Sequence, residues 1–463
     1  MRENIVMLGD SYKYSQPKQY PKNVVEFYGY MEARSSNVYP ATLWFGMQYI
    51  TKRYLQAEIT KEDVYEAAHF AKAHGELFEL DGWLYIASLG YLPLEICAVP
   101  EGSLIPNGNV LATFRSTDPK VPWLERWVET LIMKAWYMTT VATKSYYTKQ
   151  MLLKYIKDPA FSYHNFGDRG ATCVEAAAIG GMAHLTQLMG TDNFNSLRYV
   201  REYYNEPCAG FSIPASEHST VTSWGRENEF AFYDNYIELY KDSPIVACVM
   251  DSYNIYDAVE YVTTGAFRTK IESGDYPIFV IRPDSGEPDE ILRKLLAMLK
   301  QNVAYSTLNG VISFNKYRII WGDGITPEVM EDMMNTCVEL NIEPSMLGFG
   351  SGGDLMQNVN RDTLGFAIKC SNVTLQYDDP ICKDGQAKLL YKERDVYKDP
   401  LHGNKKSKKG RITTYYNKNT DVYFVDTLEQ DFEVAVNMLQ PIFYNGQLLN
   451  ETTFTEIRKC SQA

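Results

Sequence analysis

A chain of 463 residues is long enough for two or three domains with large buried cores. Its formal net charge of −13 excludes a dedicated nucleic-acid binder, which needs a basic face, while 45% hydrophobic and 22% charged residues are ordinary globular proportions. No apolar run approaches the ~20 residues that span a bilayer. The opening MRENIVMLGDSYKYSQ lacks a signal peptide's apolar core, and the eight cysteines form no C-x-x-C pair. The expectation is a soluble, cytoplasmic protein with reduced thiols and neither a nucleic-acid nor a membrane partner.

In chain order, residues 1–150 mix helices such as KEDVYEAAHFAKAHGELF with short extended pieces such as LPLEICAVPEG and VLATFRSTD. Further along, the pattern becomes apolar strand, polar turn, amphipathic helix. PIVACVMDSYNIYDAVEYV predicts a strand ending at Asp251, then a helix with Ile255, Ala258, Val259 and Val262 on one face. PIFVIRPDSGEPDEILRKLLAMLK predicts a strand ending at Arg282 and Asp284, then a helix opened by Pro288. YRIIWGDGITPEVMEDMMNTCVEL repeats the plan with Asp323 after the strand and Thr326-Pro327 as the helix cap. MLGFGSGGDLMQNV repeats it with a glycine loop. Beyond residue 370 come alternating strands, RITTYYN and VYFVDTL.

The four turns fall roughly 30 to 40 residues apart, the length of one βα unit. Aspartate and glycine are good turn formers, so one such turn needs no ligand to explain it. Four in succession, all at C-terminal strand ends, mark the edge where parallel α/β folds bind ligands. The expected class is α/β: a barrel-type catalytic domain over 151–370, with 1–150 and 371–463 forming one discontinuous, mostly-β α+β domain.

GFGSGGD (348–354) holds Gly348, Gly350 and Gly353 in the spacing G-x-G-x-x-G. A dinucleotide fingerprint opens a βαβ unit and is followed by an acid about 20 residues on. This one closes the run of units, and VNRDTLGFAIKCS supplies no strand-terminal acid. A barrel phosphate site fits better: backbone N–H groups near Gly350, Gly352 and Gly353 would cradle the phosphate, with Arg361 adding charge.

Seven motifs, in order over nearly the whole chain, carry a resemblance. They are GDSYKYSQPKQYP, YHNFGDRGATCVEAAAIGGMAHL, SIPASEHSTVTSWG, IRPDSGEP, GDG, GFGSGGDL and KKSKKGR. Together they resemble the nicotinate/nicotinamide phosphoribosyltransferase family. The resemblance implies a type II phosphoribosyltransferase fold, an irregular (β/α) barrel beside a mostly-β domain. It also implies transfer of phosphoribosyl from 5-phosphoribosyl 1-diphosphate (PRPP) to nicotinamide, giving nicotinamide mononucleotide and diphosphate in NAD salvage. Mg²⁺ and ATP would take part, and a homodimer would share two active sites across its interface. The apolar strand, paired acids and Thr/Gly-rich loop of the common phosphoribosyltransferase type do not occur.

Transfer at the ribose C1 passes through an oxocarbenium-like centre as diphosphate leaves. It therefore needs cations for diphosphate, carboxylates for ribose and Mg²⁺, and a flat slot for the ring. By resemblance, Arg169 and Arg282 take the diphosphate, and Asp284 the ribose beside Gly322 and Asp323. Asp251 stands near ribose and metal, although a lone aspartate there is as readily a turn or helix cap. Phe166 stacks on the ring, and Tyr12 joins it from the other subunit. Arg34, Lys369, Lys398 and Lys405 reach the diphosphate in the neighbouring subunit's site. His218 is the residue that ATP phosphorylates, with Glu217 beside it able to orient the ring. No metal-ligand spacing occurs among the histidines, so Mg²⁺ is expected to arrive with PRPP or diphosphate.

Asp192 in GTDNF bears on the choice of base. A buried carboxylate accepts a hydrogen bond from a carboxamide N–H₂ and repels the carboxylate of nicotinate. Two positions depart from the family: Ala247 replaces a serine that contacts the carboxamide oxygen, and Asp168 replaces a frequent tyrosine. Two other functions compete. A nicotinate- or nicotinamide-riboside-type transferase would differ at the ring slot. A non-catalytic nucleotide sensor would lose charged catalytic groups, whereas Asp251, Asp284, Arg282 and His218 are all present.

Overall fold

A computed structural model of the chain describes residues 3–378, 389–402, 406–428 and 432–462. Two compact units emerge. One contains Lys144–Glu202 and Glu206–Val359; the other contains the residues up to Thr143, Tyr203–Asn205 and those from Asn360 on.

The first unit is built on six parallel strands. Their spatial order is Gly190–Thr191, Tyr163–Asn165, Leu347–Ser351, Tyr317–Trp321, Ile278–Arg282 and Ile245–Val249. At one edge Gly190 bridges Phe211, and at the other Ala247 bridges Ala215, both in parallel. The segment 211–216 thus touches both edges and closes the sheet into an irregular barrel. Its main-chain bonds are few: Phe211 N–H donates to Met189 O (2.8 Å), Thr191 N–H to Phe211 O (3.0 Å), Ala247 N–H to Pro214 O (2.9 Å) and Ser216 N–H to Ala247 O (3.1 Å).

Apolar runs form these strands because both faces are covered. Alternate residues point inward: Ala247, Val280 and Ile320 form one buried cluster, with Phe166, Ile213 and Ile245 packed against it. The outward residues Val246, Cys248, Phe279 and Ile281 are fully buried as well. Helix Pro288–Asn302 buries Leu292, Leu295, Leu296 and Leu299 along one face, at helical spacing. Helix Pro327–Glu339 is capped by Thr326, whose side chain accepts from Val329 N–H.

The second unit holds a seven-stranded antiparallel sheet. Its order is Leu389–Asp395, Phe366–Asp378, Val24–Ala33, Val110–Ser116, Leu94–Ala98, Gln440–Tyr444 and Gln447–Leu448. Its central pairing joins distant parts of the sequence, with Tyr30 opposite Lys369. Ile412–Asn417 pairs with Val422–Thr427 and Ala435–Asn437 in a smaller sheet. The described cysteines are free thiols, and Cys382 lies outside the described residues. Among the described residues no helix is long and apolar enough to cross a membrane.

Candidate active site

The barrel strands end on one cavity of about 350 Å³. Phe166, Arg169, Arg282, Asp284, Gly322, Asp323, Gly352 and Gly353 all line it, so eight of the residues singled out from sequence come together. They arrive from four strand ends: after Tyr163–Asn165, Ile278–Arg282, Tyr317–Trp321 and Leu347–Ser351.

Arg282 links the parts. Its guanidinium carbon lies 5.6 Å from the centre of the Phe166 ring, and Nη2 donates to Asp284 Oδ1 at 3.1 Å. Its Nε is buried and unpartnered. A buried cationic donor without an acceptor is costly unless an anion completes it. Gly322 makes the pair possible, because a Cβ there would stand 3.0 Å from Asp284 Oδ1 and 3.4 Å from Arg282 Nε.

The glycines of GFGSGGD divide by role. Gly350 lies inside strand Leu347–Ser351, and a Cβ on it would fall 1.9 Å from Phe166 Cε2. Gly350 therefore admits the aromatic ring rather than a phosphate. At Gly352 and Gly353 a Cβ would meet nothing within 4 Å, and neither has a positive φ. Neither packing nor a left-handed backbone accounts for these two glycines, and both open onto the cavity. The dinucleotide reading fails on the same geometry, since the first two glycines of the spacing belong to the strand.

His218 and Asp251 sit beside the cavity rather than in its wall. His218 opens the short helix His218–Thr222, and its Nε2 lies 2.9 Å from Asp251 Oδ1. The other oxygen, Oδ2, accepts from Asp284 N–H (3.0 Å) and Ser285 Oγ (2.5 Å). Asp251 thus joins the histidine to the backbone of the residue that pairs with Arg282. Glu217, expected to orient the ring, does not: its carboxylate accepts from Ser219 Oγ. The backbone at Glu217 is extended, which turns adjacent side chains to opposite sides.

Asp192 is exposed rather than buried, and Oδ1 accepts from Ser212 Oγ at 2.5 Å. Its exposure lowers the cost of a like-charged neighbour from the several kcal/mol of a buried site. The range becomes about 1 kcal/mol in bulk water to about 4 kcal/mol near a protein surface, for charges ~4 Å apart. Ala247 is buried beneath Phe166 in the apolar cluster, and Asp168 is exposed.

Arg361 belongs to the other unit rather than the barrel unit. The helix after the glycine turn stops at Gln357, and Asn360 caps a new turn, Arg361–Thr363, in the other unit. There Arg361 is mostly exposed and pairs with Asp362 at 3.4 Å. That unit also holds Tyr12, Arg34, Lys369 and Lys398; Lys405 lies outside the described residues. Burial, then the positive charges of Arg34, Arg126 and Lys398, push the Lys369 ammonium below its usual pKa, against the pull of Glu129. Glu32, itself buried, pairs with Arg34 at 3.1 Å and with Lys408. Although several of these cations are ion-paired, the depressed Lys369 ammonium marks a locally positive region suited to a polyanion.

Three contributors escaped the sequence reading. Asn165 is fully buried and shapes the turn under Phe166, accepting from Gly167 N–H at 2.8 Å. Ser285 and Ser212 each donate a hydroxyl hydrogen bond to a site aspartate, Asp251 and Asp192 respectively. All three lie inside motifs quoted from the sequence, Asn165 in YHNFGDRG, Ser212 at the head of SIPASEHSTVTSWG and Ser285 in IRPDSGEP, but their hydrogen bonds to other parts of the site carry no local pattern. Among the described residues no three His, Cys, Asp or Glu side chains converge as a metal-binding group.

The sequence profile of the nicotinate phosphoribosyltransferase (NAPRTase) family matches residues 161–436, and that of the nicotinamide phosphoribosyltransferase N-terminal domain matches 4–96. A nicotinamide phosphoribosyltransferase of Xanthomonas campestris pv. campestris (strain 8004) is 37% identical over 477 residues, covering 100% of this chain and 98% of that protein. Another, from Acinetobacter baylyi, is 26% identical, covering 97% of this chain and 95% of that protein. Among solved structures, nicotinate-nucleotide pyrophosphorylase from Pyrococcus furiosus superposes with a TM-score of 0.63 at 15% identity, covering 100% and 96% of the two chains. Human nicotinic acid phosphoribosyltransferase gives 0.62 at 14%, covering 98% and 92%. At such identities the structural likeness shows the fold, that of type II phosphoribosyltransferases. The chain belongs to the nicotinate phosphoribosyltransferase family and is an enzyme of the phosphoribosyl-transferring, glycosyltransferase type.

Proposed function

We propose that the enzyme transfers phosphoribosyl from PRPP to nicotinamide in NAD salvage, giving nicotinamide mononucleotide and diphosphate. The observation that carries this reading is the shared cavity, where an unsatisfied arginine, an aspartate, an aromatic face and two open glycines meet. Gly352 and Gly353 present backbone N–H groups to the 5-phosphate. Arg169 and Arg282 draw charge off the leaving diphosphate, and Asp284 holds the ribose hydroxyls. The base lies against Phe166, with Asp192 and Ser212 at its carboxamide end. Asp284 and Asp323 line the cavity, and two carboxylates with substrate phosphates form the donor set that suits Mg²⁺. When bound with PRPP, Mg²⁺ would neutralise charge on the diphosphate.

ATP enters through His218. Asp251 can only accept, so the imidazole proton resides on Nε2 and the lone pair on Nδ1. Attack of Nδ1 on the γ-phosphorus forms an N–P bond and breaks the P–O bond to ADP, while Asp251 stabilises the resulting positive ring. Hydrolysis of that phosphohistidine then couples ATP to product formation.

The direct test is product analysis after mixing protein, PRPP and Mg²⁺ with nicotinamide or nicotinate, with and without ATP. Nicotinamide is expected to be preferred by at least roughly tenfold in kcat/KM, about 1.4 kcal/mol. Asp192→Asn should erode the preference, because a neutral amide does not repel nicotinate. Equal use of both bases by the unmutated protein would defeat this assignment.

The site is completed by a second copy of the chain, with Tyr12, Arg34, Lys369, Lys398 and Lys405 of one subunit serving the cavity of the other. Mixing Arg34→Ala and Asp284→Ala proteins, each inactive alone, should restore part of the activity through heterodimers with one intact site. No recovery despite verified subunit exchange counts against a shared site.

A further inference from the structure

Asp354 follows the two open glycines and lines the same cavity. A carboxylate there faces an incoming phosphate dianion, which it repels unless neutralised. Its Oδ2 lies 2.6 Å from Lys144 Nζ, and Oδ1 accepts from Asn358 Nδ2 at 2.8 Å. Lys144 Nζ also donates to the Asp354 carbonyl at 2.7 Å. Lys144 is 5% exposed, and among the described residues Asp354 is the one carboxylate paired with it. The ammonium therefore grips Asp354 by both main chain and side chain, which fixes the direction of the preceding N–H groups.

We propose that Lys144 is a positioning residue for the transfer reaction: paired with Asp354, it cancels the carboxylate beside the glycine turn and holds that turn open to the phosphate of PRPP. The inference rests on the phosphate docking proposed above. It adds a specific coupling, because loss of Lys144 harms the site chiefly by unmasking Asp354. A buried ion pair behaves this way: removing one partner is severe, and removing both charges is mild.

The test measures KM for PRPP, KM for nicotinamide and kcat in four proteins: unmutated, Lys144→Met, Asp354→Asn and the double variant. Lys144→Met keeps the buried stem and loses the charge. It is expected to raise KM for PRPP about tenfold or more, with smaller changes in kcat and in KM for nicotinamide. In a chain already carrying Asp354→Asn, the same change is expected to cost less than about threefold. Lys144→Gln, which keeps a donor for the Asp354 carbonyl, carries the same comparison if the methionine variant does not fold. An equal penalty in both backgrounds, or equal losses in all three constants, would overturn the proposal in favour of a purely structural lysine. Gly353→Val separates this result from the reading beneath it. If Gly353→Val raises KM for PRPP while Lys144→Met does not, the pair's role alone is wrong. If neither does, phosphate docking at this turn is wrong as well.

Discussion

Arg282→Ala is expected to lower kcat/KM for PRPP by ~10³-fold, the scale of losing a charge-assisted anion contact that strengthens as diphosphate departs. One side chain serves three needs here. It offers an unpartnered Nε to an anion, fixes Asp284 through Nη2 and lies over the Phe166 ring. Its removal also leaves Asp284 uncompensated beside two phosphoryl groups. Arg282→Lys should recover little, since an ammonium cannot direct separate donors to the diphosphate and Asp284 at fixed angles. The fold should hold, with Tm shifted by no more than ~5 °C, because one partly exposed ion pair is lost without opening the core. Initial rates at varied PRPP, alongside thermal unfolding, give the answer. A kcat/KM within tenfold of the unmutated enzyme would remove Arg282 from the diphosphate site.

The second large effect concerns Asp251→Asn. The amide keeps the shape of the carboxylate but carries no charge to stabilise a positive imidazole, and it no longer fixes the proton on Nε2. Acid-labile phosphate on His218 from ATP should fall on the order of 10²-fold or more, and ATP stimulation of product yield with it. His218→Ala should abolish the label outright. Glu217→Gln should leave the label near its normal level, because Glu217 bonds Ser219 instead of the ring. Labelling unchanged in Asp251→Asn, or lost in Glu217→Gln, would reverse the assignment of the orienting acid.

The four late βα units were legible because each joins a five-residue apolar strand to a turn that a helix follows. Asp251, Arg282, Asp284 and Asp323 could be placed at strand ends on that basis alone. The early barrel was not legible. Tyr163–Asn165 and Gly190–Thr191 are too short to show alternation, and the segment 211–216 makes only isolated bridges. Phe166, Arg169, Asp192 and His218 were therefore reached through motif resemblance rather than periodicity. Non-local pairings were hidden for another reason. Asp251 holds a histidine 33 residues away, and Tyr30 pairs with Lys369, and no local pattern encodes either contact. Arg361 lies two turns past the glycine loop in sequence, but the loop's helix ends at Gln357 and Arg361 opens a new turn in the other unit.

The closure of the barrel bears on how such an enzyme can change its diet. The residues proposed to meet phosphate and ribose stand at or just past the ends of strands laddered on both sides, where a substitution disturbs many neighbours. Ser212, which bonds Asp192, belongs to a stave held by a handful of main-chain bonds, and that stave runs on to His218. On the proposed reading, drift along this stave can reshape the pocket for the base, or loosen the proposed tie to ATP, while the phosphate- and ribose-facing strand ends stay intact. On that reading, selectivity and the proposed energy coupling are the parts of this catalyst most open to inheritance in altered form.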